Sequence, residues 1–156
     1  MKQLILIFTL CVSSTLFSQD YVKLAETNFK TAEECKEAEP KVLECANYLL
    51  NTSAKANELN RLSAFQYLFK WMEGTADYTF SIDADVVDLT KGDTSYMAIY
   101  FAAMVQTVLQ NKGEKLSDEA LHETAVNKLV SYCEDDTNGL KPNRAIKKII
   151  KKRKKS

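Results

Sequence analysis

Between Asn57 and Phe80 the chain reads NELNRLSAFQYLFKWMEGTADYTF. Leu59, Leu62, Phe65, Phe69 and Met72 recur at steps of three and four, the spacing of one face of an α-helix. Ala64, Tyr67, Leu68 and Trp71 widen the apolar arc well past a single stripe. A helix apolar over most of its girth is covered from several sides. Gly74 comes next, a residue able to take the left-handed conformation that closes a helix. The stretch predicts a central helix over Asn57–Glu73, with Leu62 and Phe69 inside and the remaining chain packed around it.

The rest of the sequence supplies helical neighbours. Thr31-Ala-Glu-Glu34 has the pattern of a capping box, a hydroxyl at the cap and Glu three residues on. Pro40 interrupts the helical pattern beyond that cap. Proline costs about 3 kcal/mol inside a helix and is welcome in a first turn. The expectation is a short piece over Ala32–Ala38 and a second helix from Pro40 to Leu50, with one kinked helix as the alternative. From Tyr96 to Val105 there is no charge, which predicts a second buried helix over Ser95–Gln110. Ser117 with Asp118 and Glu119 opens another, and Leu121, Ala125, Val126, Leu129, Val130 and Cys133 form its inner face. Pro142 suits the start of a last helix over Asn143–Lys151. The least helical part, 75–94, mixes Tyr78, Phe80, Ile82, Val86 and Leu89 with five Asp and reads as a long packed loop with room for one short helix.

Only four Gly and two Pro occur in 156 residues, which argues against a turn-rich β-sandwich. The fold class is therefore all-α, five or six helices in an antiparallel bundle or helical-hairpin array. A tetratricopeptide-type array would show self-similarity at about 34 residues, and none is evident.

The beginning of the chain has the layout of a secretory signal. Lys2 precedes an uncharged apolar run, Leu4–Val12, and then SSTLFSQ. The run is too short to span a bilayer. Cleavage is expected between Ser18 and Gln19, which divides the chain into a signal over 1–18, a single helical domain over 19–143 and a basic tail over 144–156. The expected location is the periplasm or the exterior. Leu10 before Cys11 argues against a lipoprotein box.

The net charge of zero conceals a division. Arg144–Lys155 carries eight basic residues and no acid; without them and Lys2, 12 basic residues face 21 acids. Such asymmetry points to an interaction tail. Ile146, Ile149 and Ile150 give the tail one apolar side, and beyond Ile150 the sequence KKRKKS should fray, because like charges four apart oppose a helix. Lys147, Lys148, Lys151, Lys152, Arg153, Lys154 and Lys155 are the expected contacts to an anionic lipid or polysaccharide. Folding back onto the acidic body is the competing expectation. Nucleic acid is disfavoured, since the tail lacks interleaved aromatics.

No local motif carries catalysis. His122-Glu123 lacks the second His of a zinc-protease helix, and His122 is the only histidine, so an exposed helix histidine is expected. Asp83–Asp88 lacks the Gly of a calcium loop. The run Glu134–Gly139 reaches Ala145 where the bidentate Glu should stand. There is no glycine-rich phosphate loop and no Ser or Cys at motif spacing from a base. Catalytic, cofactor-binding and metal-ligating residues are therefore left unassigned, and no cofactor is expected. Trp71, Tyr78 and Phe80 are candidates for a ligand cleft, although aromatics at helical spacing usually pack. In an exporting compartment Cys35–Cys133 is the favoured bridge, with three reduced thiols as the alternative.

Three functions are compatible with these residues. The first is a small exported helical protein with an interaction or structural role and no catalysis. The second is a surface-associated protein that binds anionic lipid or polysaccharide through its tail. The third is a hydrolase or ligand-binding domain with a site near 75–94.

Overall fold

A computed structural model describes residues 21–113 and 116–155. The predicted signal and its cleavage site lie outside the described residues. The order is α1 (Tyr21–Leu24), α2 (Ala32–Asn51), α3 (Glu58–Gly74), α4 (Ala84–Thr90), α5 (Thr94–Gln110), α6 (Asp118–Glu134), a 3₁₀ turn (Asp136–Asn138) and α7 (Arg144–Arg153). The described residues contain no strand, and the fold is all-α.

Local chemistry sets the helix starts. A helix leaves its first N–H groups without internal partners, and short polar side chains satisfy them. Thr31 Oγ1 accepts from Glu34 N at 3.2 Å, while Glu34 Oε2 accepts from Lys30 N at 2.6 Å. Asn57 caps α3, Asp83 caps α4, Asp93 caps α5, Ser117 caps α6 and Asn143 caps α7.

Pro40 does not divide α2, which runs unbroken for 20 residues. The two-helix expectation is corrected in favour of the single helix. Proline removes one intrahelical bond, and the cost is offset because α2 buries Cys35, Glu39, Val42, Cys45, Ala46 and Leu49 along its length.

The hub of the fold is α5 and not α3. Every residue from Ala98 to Val105 is buried, and α5 packs against α2, α3, α4 and α6. Ala102 and Ala103 let neighbouring backbones approach. α2 and α3 form one helical hairpin, and α5 and α6 form another. On α3 the buried row is Arg61, Ala64, Tyr67, Leu68 and Trp71; Leu59 and Leu62 are 58% and 41% exposed. The inner face of α3 is thus rotated from the expected one. Phe65 and Phe69 sit at its edge against Phe101.

Gly74 ends α3 without a left-handed turn; its role is close approach, since a Cβ there would stand 3.1 Å from Cys35 Sγ. Within 75–94 the short α4 forms, and a left-handed Lys91 followed by Gly92 closes it.

Cys35, Cys45 and Cys133 are buried free thiols. The Cys35–Cys133 bridge is incompatible with this topology. Cys35 lies in the first turn of α2, whereas Tyr132, next to Cys133, donates to Thr52 O at 2.6 Å beyond the other end of α2. The helix between them spans about 25 Å, and a disulfide needs Cα atoms within about 7 Å.

Candidate functional site

The last helix, α7, gathers six of the chain's 21 basic residues within ten positions. Asn143 organises its start: Oδ1 accepts from Ile146 N at 3.0 Å, and Nδ2 donates to Leu89 O at 2.8 Å at the end of α4. Just before it, Tyr96 Oη donates to Lys141 O at 2.8 Å, which ties the connection to α5. Ile146 is wholly buried, and Ile149 and Ile150 are half-buried beside it. Helical spacing places these three on one side of α7, toward α4 and α6.

The helix continues to Arg153, past the point where charge repulsion was expected to unwind it. Two effects oppose that repulsion. Lys151, Lys152 and Arg153 lie in the last turn, where the helix dipole favours cations. Arg153 also donates to Asn127 Oδ1 on α6.

All seven predicted surface contacts, Lys147, Lys148, Lys151, Lys152, Arg153, Lys154 and Lys155, are exposed. Two adjoining grooves run along α7, each of about 480 Å³. Ile149 forms the floor of one, between Lys148, Lys151, Lys152 and Lys155. The other lies between α7 and α6, over Val126 and Ile149. There Glu119 and Glu123 stand across from Lys152 and Arg153. Lys148, Lys151 and Lys155 line only the outer groove, apart from those acids.

A second concavity, of about 280 Å³, opens beside the 75–94 segment, where Ser81, Asp83, Asp85, Asp118 and His122 converge over Met104 and Leu121. His122 is half-buried, not the exposed helix histidine expected, and its Nδ1 lies 2.8 Å from Tyr100 Oη. Burial, with the nearby charge of Asp83 adding, pushes the Tyr100 phenol up to about 12. The phenol therefore keeps its proton, and the direction of its hydrogen bond to His122 Nδ1 follows the imidazole tautomer. Other members are already engaged: Asp83 Oδ1 caps α4, and Asp118 Oδ2 accepts from Ser81 Oγ at 2.8 Å. Among the described residues, no three ligating side chains are grouped to hold a metal ion.

Trp71, Tyr78 and Phe80 do come together, as a packed cap. Trp71 has no exposed surface, and its ring centroid stands 5.7 Å from Tyr78 and 6.0 Å from Phe80. Tyr78 also borders a cavity toward Val108 and Leu116. The loop cavity beside Tyr100 and His122 was not visible in the sequence, where the two residues stand 22 positions apart on different helices.

Comparison with protein-family models, curated proteins and solved structures returned no match. The reading of function rests on the chain's own geometry.

Proposed function

We propose that this chain is a non-catalytic interaction protein that binds an anionic surface through the basic side of α7. The observation that carries the reading is the division of labour within one short helix. Ile146 is wholly buried in the body, while Lys148 and Lys151 on the helix and Lys155 just beyond its end are exposed, with no acid in α7 to neutralise them. A cation near an anionic surface adds about 1 kcal/mol of attraction at modest salt. A rigid helix presents several at once without first having to order them. The body carries the opposite sign, so approach is oriented, with α7 leading. Export, the expectation raised by the signal layout, puts the partner among anionic lipids or polysaccharides of a cell envelope. No described helix is long and apolar enough to cross a membrane.

Sedimentation with anionic and with zwitterionic vesicles tests this, alongside retention on immobilised dextran sulfate. The protein should bind both anionic materials and ignore phosphatidylcholine. Lys148→Glu, Lys151→Glu and Lys155→Glu together should abolish both interactions while circular dichroism stays unchanged. Binding that survives the triple change would refute the assignment to α7.

The cavity beside His122 favours a second reading, a ligand site at the 75–94 segment. Its test is the imidazole resonance of His122 during screening of small cationic compounds. An unmoved resonance throughout removes this reading.

A further inference from the structure

We infer that the anionic surface is a lipid bilayer and that Ile149 enters its hydrocarbon edge between the lysines of α7. This deepens the proposed function and rests on it. A polysaccharide or a nucleic acid would be satisfied by charge alone, or by charge with hydrogen-bonding and aromatic side chains. The groove on the outer side of α7 has no aromatic side chain and adds to its charge an apolar floor that charge attraction alone does not require. Its lining is Ile149 with Lys148, Lys151, Lys152 and Lys155, an apolar floor between aliphatic stems that end in ammonium groups.

Lysine stems lie along apolar material while their heads stay in the polar layer. Four such stems around one isoleucine match the boundary between lipid phosphates and acyl chains. Val126 extends the floor on the α6 side, and Ile149 is shared by both grooves. Ile146 is wholly buried, whereas Ile149 and Ile150 are half-buried against the core, and of these two it is Ile149 that lines both grooves and can meet the hydrocarbon. The contact is shallow, which suits a protein held at the interface.

Two variants and two binding materials separate this from simple charge attraction. In Ile149→Asn, partition onto equimolar phosphatidylglycerol–phosphatidylcholine vesicles should fall by about five- to tenfold, with retention on dextran sulfate unchanged. In Ile149→Trp, vesicles with brominated acyl chains should quench the added fluorescence, while Trp71, buried in the core, is not quenched. Circular dichroism of both variants confirms folding, and the Trp variant enlarges the apolar contact, so a loss in Asn alone is not mistaken for unfolding. If vesicles and dextran sulfate both bind, Ile149→Asn changes neither and bromine quenches nothing, the lipid assignment is overturned and the general anionic reading stands. If the unmodified protein binds neither material, both fall together.

Discussion

The indole N–H of Trp71 donates to the main-chain carbonyl of Cys35 at 2.8 Å, inside the core. The bond joins the last turns of α3 to the first turns of α2, next to the place where Pro40 withholds an N–H from the carbonyl of Lys36. It also anchors the indole in the core, where Trp71 has no exposed surface.

Trp71→Phe keeps most of the ring and removes the donor, so the Cys35 carbonyl loses that partner. That carbonyl keeps its place in the helical ladder of α2, so losing the second, buried hydrogen bond should cost about 0.5–1.5 kcal/mol. Trp71→Ala adds a cavity and should cost about 3–5 kcal/mol. Urea unfolding of the two variants checks both, and a Phe variant as stable as the unmodified chain would show that the bond contributes nothing.

The two sides of α3 should respond differently to truncation. Leu68→Ala, at a wholly buried position, should cost about 2–5 kcal/mol. Leu62→Ala, at a position 41% exposed, should stay within about half a kilocalorie. A larger loss at Leu62 than at Leu68 would put the helix back in the orientation read from the sequence.

That orientation shows where the sequence was and was not legible. α3 was readable from its period, α5 from its charge-free run and α6 from the cap at Ser117; Asn57 and Asp93 cap the other two. The facing of α3 was not readable, because two overlapping apolar arcs shared the helix and the packing of α2 and α1, together with α5, selects between them. Arg61 deepened the ambiguity. A charged residue reads as solvent-facing, yet it is buried, and its partners come from another helix end. The groove over Ile149 was half-visible, as three isoleucines on one side of a basic tail. Which isoleucine the body takes depends on α4 and α6, elements distant in sequence.

Arg61 makes a third prediction. Its Nη1 donates to Leu49 O at 3.2 Å, Thr52 O at 3.1 Å and Thr52 Oγ1 at 2.8 Å, closing the C-terminal end of α2 where a cation is favoured. Hydrogen bonds from a charged donor contribute more than neutral ones, so Arg61→Met should cost roughly 2–3 kcal/mol. Lysine, a single point donor without the planar fork, should restore only part of it. Full stability in the Met variant would mean that the α2 end is held by Tyr132 alone.

Alkali should weaken the fold through buried acids. Burial pushes the thiols of Cys45 and Cys133 from the ordinary 9.0 up to about 12, and the phenols of Tyr21, Tyr67 and Tyr100 from 10.0 to about 12. The folded chain thus keeps protons that the unfolded chain releases. A folded-state value above the unfolded one gives stability that is whole below the unfolded value and lost as pH climbs through the folded one. The melting temperature should be level up to about pH 8.5 and decline between about 9 and 12. Native Cys45 and Cys133 should resist Ellman's reagent until urea is added. A melting temperature flat from about pH 8 to 11, or prompt thiol reaction without urea, would contradict this burial.

The end of the chain contributes to stability and charge through different residues, so the two can be changed separately. Deleting Lys147–Ser156 removes Ile149, Ile150 and the Arg153 contact to Asn127, and it uncovers Val126. Two half-buried isoleucines contribute about 2 kcal/mol. For a domain of this size that corresponds to a fall of about 4–8 °C in melting temperature. Lys148→Gln, Lys151→Gln and Lys155→Gln together leave the apolar contacts in place and relieve the like-charge pairs Lys147–Lys151 and Lys148–Lys152, four apart on the helix. Their melting temperature should be equal or slightly higher, while vesicle binding drops steeply, though less than in the deletion, which removes Ile149 as well. A deletion that melts with the full chain would mean that α7 is only loosely docked. Gln variants that lose stability along with binding would mean that the lysines hold the helix on the body, leaving the outward basic face without a separate role.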